Sequence, residues 1–279
     1  MPPRTERAGA SGPRVLVAPN PGPLTLDGTR TYVVGVRRVV VIDPGPDDDG
    51  HLAEILEATA GRPVLAILLT HAHADHAGGA AGAAAALEAP ILASAVTLER
   101  AGLAGRALED GEEVPLGPNG GELVALATPG HASDHFAFLK RPERWLFTGD
   151  LVLGEGSSAV LHPDGAVGPY LASLRRLEAL RPTLLLPGHG PSVEDAPGRL
   201  RAYHAHRLER ERQVEEAIVA GAATPAEIRE RVYGPLPPGL VAAAEASVSA
   251  HLAHLRGRGI DAPPPGPGLD EEDAHGRDA

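Results

Sequence analysis

A chain of 279 residues, 43% of them hydrophobic, has enough apolar material for one large domain, or for one large and one small domain. It has no cysteine, which excludes disulfides, thiolate metal sites and a cysteine nucleophile and leaves His, Asp and Glu as the only strong metal ligands. The net charge of −12 disfavours non-specific nucleic-acid binding, and no apolar run approaches the roughly 18 residues of a membrane helix. A cytoplasmic protein with no DNA partner and no membrane contact is therefore expected.

Taken in order, 1–13 is polar and rich in Gly and Pro and reads as a disordered tail. Arg14 to Ala18, Thr31 to Val36 and Val39 to Ile42 read as strands, the last ending at the turn signal Asp43-Pro44-Gly45. His51 to Ala60 is an amphipathic helix behind the acids Asp47, Asp48 and Asp49. Val64 to Leu69 is an apolar strand, followed after a polar stretch by an alanine-rich helix through Leu87. Pro90 to Ala93 is a short strand, Leu108 to Leu116 is turn-like, and Glu122 to Ala127 alternates as a strand. Phe136 to Leu139 and Trp145 to Phe147 form a strand pair across a polar turn. Pro169 to Leu180 is a helix and Thr183 to Leu186 a strand.

The stretch after the central strand reads T-H-A-H-A-D-H-A-G-G and holds His71, His73, Asp75 and His76 within six residues. Imidazole and carboxylate together suit zinc and similar metals. On extended backbone His71 and His73 point to one side, and Asp75 and His76 come after the turn, where they can face a second metal. Further candidates also lie just past apolar strands, in Gly/Pro turns: Asp43, His131 in T-P-G-H, Asp150 in F-T-G-D and His189 in P-G-H-G-P. A rigid sheet thus presents ligands on loops at one edge.

H-x-H-x-D-H after an apolar strand, with these other motifs in this order from Val15 to Arg207, resembles the metallo-β-lactamase-fold hydrolases. The resemblance implies a four-layer αβ/βα sandwich and two zinc ions. It implies that His71, His73 and His131 hold the first metal and Asp75, His76 and His189 the second, with Asp150 bridging. Water shared by two metals becomes a hydroxide nucleophile near neutral pH, and the Asp75 carboxylate is placed to orient it. Asp43 reads as a support for the ligands, and His135 as part of the wall. Asp134 falls outside the ligand set.

Beyond Pro197 the texture changes. Arg199 to Ala220 is a long charged helix, in which Arg207, Glu209, Arg210, Glu211 and Arg212 read as a solvated face, and His204 and His206 as surface residues. Thr224-Pro225-Ala226-Glu227 opens a short helix to Tyr233, Leu240 to Arg256 forms another, and Gly257 to Ile260 reads as a small wing. Residues 14–198 are thus expected as the catalytic domain, 199–262 as a winged-helix-like segment and 263–279 as a disordered tail. G-D-L-V-L-G-E-G at 149–156 and Y-H-A-H-R at 203–207 are similar to one branch of the family. That branch includes a mitochondrial β-lactamase-like endoribonuclease and fungal polyketide thioesterases acting on acyl carrier proteins. The expected activity is metal-dependent hydrolysis, with single-stranded RNA as the leading substrate and a carrier-protein or glutathione thioester as the alternative; a non-catalytic metal-binding protein is the third reading.

Overall fold

The computed structural model describes residues 5–7 and 12–268. The chain divides into two compact units. The first comprises Met1–Thr128, Asp134–Gly156 and Leu180–Pro197, and the second Pro129–Ser133, Ser157–Ala179 and Gly198–Ala279.

In the first unit β1 (Thr5–Arg7), β2 (Arg14–Val17), β3 (Arg30–Gly35) and β4 (Val39–Ile42) pair antiparallel in sequence. α1 (Asp49–Thr59), β5 (Val64–Leu68), the single turn α2 (Ala74–Ala77), α3 (Ala80–Leu87), β6 (Ile91–Ala93), α4 (Ala95–Arg100) and β7 (Arg106–Ala107) continue that sheet with parallel pairs. The described strands of this sheet run in the order β1 to β7. β8 (Glu113–Pro115), β9 (Glu122–Ala127), β10 (Phe136–Arg141), β11 (Trp145–Gly149) and β12 (Leu184–Pro187) make a second sheet in the order β12-β11-β10-β9-β8.

Burial follows the two-residue period of a strand. Val40, Ile42, Ala66 and Leu68 face Leu123, Ala125, Phe138, Phe147 and Leu186 between the sheets. Val39, Val41, Ile67 and Leu69 face the other way, onto Ile55 and Ala58 of α1 and Ala80 and Ala83 of α3. Both faces of β4 and β5 are covered, which explains their unbroken apolar sequence. α1 starts at its cap, where the Asp48 side chain accepts from His51 N.

The second unit contains α5 (Val167–Ala179), α6 (Ala196–Val219), α7 (Pro225–Tyr233) and α8 (Pro238–Gly257). Val214, Ala217, Ile228, Val248, Leu252 and Leu255 form its own core. Thr224 caps α7 through Glu227 N, as the capping-box sequence predicts. This is a mixed α/β architecture of two sheets with flanking helices and a helical C-terminal region.

Four expectations change. Thr5–Arg7, read as tail, is a strand on the open edge of β2, where unpaired backbone groups find partners; residues 1–4 and 8–11 of that tail, and 269–279 of the C-terminal one, lie outside the described residues. The turn-like run at 108–116 contains β8, which pairs with β9. Gly257 to Ile260 holds no strand of its own: it is a helix-ending turn with Ile260 N bonded to Leu255 O. The charges of α6 are not one solvated face. Arg207 and Glu211, one helical turn apart, are buried with Tyr203 and Val214, while Glu209 and Arg212 pair in solvent.

Candidate metal centre

β4 and β5 run parallel with Ile42 opposite Leu68, so Asp43 and Thr70 leave the sheet at the same edge. Asp43 organises the loop that leaves β5. Its Oδ1 accepts from Thr70 N at 2.8 Å, and its Oδ2 accepts from Thr70 Oγ1 at 2.7 Å and from His76 Nδ1 at 2.8 Å. The Thr70 hydroxyl has spent its proton on Asp43, so its oxygen accepts from His71 Nδ1 at 2.9 Å. His189 Nδ1 lies 3.3 Å from the Gly28 carbonyl, which can only accept. All three imidazoles therefore carry a proton on Nδ1 and turn Nε2 inward, the arrangement that outer hydrogen bonds impose on metal-binding histidines.

The inward atoms converge. His76 Nε2 lies 3.2 Å from His189 Nε2, 3.3 Å from Asp150 Oδ1 and 3.6 Å from Asp75 Oδ2. His189 Nε2 is 3.2 Å from Asp75 Oδ2 and 3.3 Å from Asp150 Oδ2. His71 Nε2 and His73 Nδ1 stand 2.9 Å apart. Donors about 2.0–2.1 Å from one zinc ion at tetrahedral corners are about 3.3 Å from each other. The observed spacings fit that edge length, and the two inward nitrogens 3.2 Å apart repel unless a proton or a metal ion lies between them. Asp75–His76–His189 and His71–His76–Asp150 each gather three ligand atoms within 4.8 Å of one another.

Electrostatics points the same way. Burial opposes charge on His76, but Asp75, Asp150 and Asp43 outweigh it and hold the imidazole well above its ordinary range. Burial likewise opposes charge on His189, and Asp150 and Asp75 raise it to about 9. For both carboxylates burial favours the neutral acid, yet the imidazoles hold Asp75 and Asp150 below the usual carboxylate range. The pocket therefore demands positive charge, for which protons and metal ions compete.

One glycine and two further side chains shape the site. A Cβ on Gly188 would stand 2.5 Å from Asp150 Oδ1 and 2.6 Å from His76 Cε1. His135 is no ligand in this arrangement: its Nε2 accepts from Asp150 N at 3.2 Å, and its Nδ1 faces Thr128 Oγ1 at 2.9 Å. Asp134 is buried, and its Oδ2 accepts from Ala72 N at 2.9 Å, between His71 and His73, and from Thr97 Oγ1 at 2.7 Å. His131 stands in the second unit on the segment Pro129–Ser133, where its Nδ1 donates to Ala159 O at 2.7 Å and its lone pair is left on Nε2. Gly130 (φ +146°) lets that segment lie against the start of α5, since a Cβ there would come 2.3 Å from Tyr170 Cα.

Residues 24–189 match the family described as the metallo-beta-lactamase superfamily. The chain belongs to that superfamily. Residues 224–260 match the beta-lactamase associated winged helix domain. The chain is 36% identical over 236 residues to the lactamase-like protein adaB of Aspergillus niger, covering 78% of this chain and 72% of that one. It is 34% identical over 239 residues to an atrochrysone carboxyl ACP thioesterase of Aspergillus chevalieri, covering 81% and 75%. A crystal structure of a metallo-beta-lactamase family protein from Thermus thermophilus superposes with a TM-score of 0.72 at 25% identity, covering 88% of this chain and 93% of that one.

As a member of the metallo-beta-lactamase superfamily the chain is a hydrolase whose His/Asp groups are able to bind metal. Sequence reasoning missed Thr70 as the link between Asp43 and His71; the only signal was a hydroxyl directly after an apolar strand. It also missed Asp134 as a support of the site, because its partners Thr97 and Ala72 come from 37 and 62 residues away. No described helix is long and apolar enough to cross a membrane.

Proposed function

We propose that this chain is a dinuclear zinc hydrolase of acyl thioesters, carried on a protein or on a small thiol such as glutathione. The observation that carries the choice of substrate is the placement of the aromatic rings. All eight, Tyr32, Phe136, Phe138, Trp145, Phe147, Tyr170, Tyr203 and Tyr233, are buried or half-buried. A single-stranded RNA site uses exposed rings on which bases stack, together with a basic groove, and the net charge is −12. The thioesterase name of the Aspergillus chevalieri relative supports the same choice. Endoribonuclease activity is the second reading; the branch motifs and the winged-helix match favour it.

His71, His73 and His131 would hold one metal and Asp75, His76 and His189 the other, with the Asp150 carboxylate between them. His131 is assigned from its motif. When bound, the pair of ions supplies an acidified water and a Lewis acid for the scissile carbonyl. Asp75, kept anionic by its imidazole neighbours, is placed to accept a hydrogen bond from the attacking water and orient it. Asp43, through Thr70 and His76, keeps two imidazoles in the ligating tautomer. Hydrolysis adds water across the C–S bond and releases a carboxylic acid and a thiol. A thiolate leaves near its own pKa of about 8.5, so no separate general acid is required. Residues 14–198 are proposed as the catalytic part and 199–262 as the segment that receives the larger part of the substrate, in a cytoplasmic protein.

The test assays purified protein against an acyl N-acetylcysteamine thioester and a single-stranded RNA side by side, with metal analysis of the same preparation. Thiol release that stops on chelation and returns with zinc is expected. RNA cleavage without thiol release would overturn the thioester reading. A preparation with no metal, and no uptake on reconstitution, would overturn the metal centre.

A further inference from the structure

We infer that Arg207 of α6 is a positioning residue for the His131 imidazole, so that the helical unit sets the direction of a metal ligand. This rests on the reading that His131 is a ligand. The segment 157–161 has no helix or strand, so no ladder of backbone bonds fixes the direction of its carbonyls. Yet its Ala159 carbonyl receives the His131 Nδ1 proton at 2.7 Å. The neighbouring carbonyl, Ser158 O, is bonded by the Arg207 guanidinium. Ser158 Oγ also lies 3.3 Å from Ala159 O and 3.4 Å from His131 Nδ1. Arg207 thus restrains the peptide that joins Ser158 to Ala159, the one directly before the peptide that carries the accepting carbonyl.

The arginine is itself held in one pose. It is 3% exposed, and its guanidinium lies over the Tyr170 ring with 4.9 Å to the centroid. Glu211, one turn along α6, is engaged elsewhere: Oε1 with Arg258 at 2.5 Å, and Oε2 facing His254 at 3.4 Å. A buried guanidinium whose acidic neighbour is turned to Arg258 is costly to keep. Its planar fork nevertheless suits a fixed carbonyl beside an aromatic face.

The rest of the His131 segment is tied to the same stretch of chain. Ser173 Oγ donates to Pro129 O at 2.8 Å, Ala166 N to Gly130 O at 2.9 Å, and Ser133 Oγ to Asp164 Oδ1 at 2.6 Å. His131 is therefore carried by a platform of 158–173, and Arg207 is the support that α6 gives to that platform.

The experiment compares the full-length, zinc-loaded wild type with Arg207→Met, Arg207→Lys and His131→Ala. The readouts are metals retained against graded chelator, the visible absorption of the cobalt-substituted proteins, and thermal midpoints. Arg207→Met is expected to release one of its two metals at least about tenfold more readily, the usual effect of losing an outer support of a ligand, and to shift the cobalt spectrum. Arg207→Lys keeps a donor for Ser158 O; a smaller loss is expected, and it carries the same comparison if Arg207→Met does not fold. Wild-type retention of both metals with an unchanged cobalt spectrum would overturn the inference. So would equal weakening of both metals in step with a fallen thermal midpoint. His131→Ala separates the two claims. If it keeps both metals at wild-type affinity, the ligand reading fails; if it loses one while Arg207→Met loses none, that reading stands and the role of Arg207 falls.

Discussion

At the scale of single residues the site depends on charge and on close approach. Asp150 faces His76 Nε2 with one oxygen and His189 Nε2 with the other, each at 3.3 Å. Asp150→Asn keeps the shape and removes the charge, so metal content should fall below two per chain. Turnover should drop on the order of a hundredfold, as when a key electrostatic stabiliser is lost. Steady-state kinetics with metal counting checks this against Glu113→Gln, an exposed acid on β8. Asp134 is unsuited as that control, because it holds the Ala72 amide between two of the histidines. Gly188→Ala places a methyl where Asp150 Oδ1 and His76 Cε1 already stand. Metal binding should fall sharply while circular dichroism stays native-like; full metal content in this variant would refute the packing argument.

At the scale of elements the essential feature is the common edge of β4 and β5. Asp43 sits on the first residue after β4 with φ +49°, a left-handed conformation that Asn adopts readily. Asp43→Asn therefore tests the carboxylate without disturbing the turn. An amide cannot accept from Thr70 N, Thr70 Oγ1 and His76 Nδ1 together, so one imidazole loses its tautomer. Zinc affinity is expected to fall about 10–100-fold with little change in thermal midpoint, measured by chelator competition. The legible part of this was the strand ends: V-V-V-I-D-P-G and L-L-T-H-A-H announce strands closed by turns. That Asp43 and Thr70 meet was not legible, because the 27-residue separation is closed only by the parallel pairing.

At the scale of the whole molecule, pH acts through buried imidazoles. His251 is fully buried in the helical unit, and neither ring nitrogen has a hydrogen-bond partner among the described residues. Burial, then Arg207, His254, Arg210 and His206, lowers it from 6.5 to about 3. The unfolded chain takes up this proton near 6.5, whereas the folded chain does so only near 3. His251 therefore costs nothing above about pH 6.5 and destabilises progressively as pH falls below it, by about 2 kcal/mol at pH 5. His251→Leu should lose less stability than the wild type between pH 7.5 and pH 5 in urea unfolding; equal losses would refute the assignment. Metal loading should show the same competition with protons. His189 is raised to about 9, so below that pH it must release a proton to bind. Apparent affinity should rise by about tenfold per pH unit for each proton displaced, from pH 6 to pH 8, as read by isothermal titration in buffers of different ionisation enthalpy.

The local order of residues was enough to determine the apolar strands, their turn-closed ends, the cysteine-free donor set and the H-x-H-x-D-H cluster, because each depends on neighbours within one element. Periodicity placed the helices of the C-terminal region for the same reason. It could not say which charges of α6 lie inside, since a helical stripe becomes buried only when another helix covers it, and Arg207 and Glu211 were covered. Tertiary structure alone decided the tautomers of His71, His76 and His189, the partners of Asp134, and the attachment of His131 to the 158–173 stretch. Those are pairings between residues far apart in sequence. Their distances are set by how sheets and helices pack, which no single segment of the chain encodes.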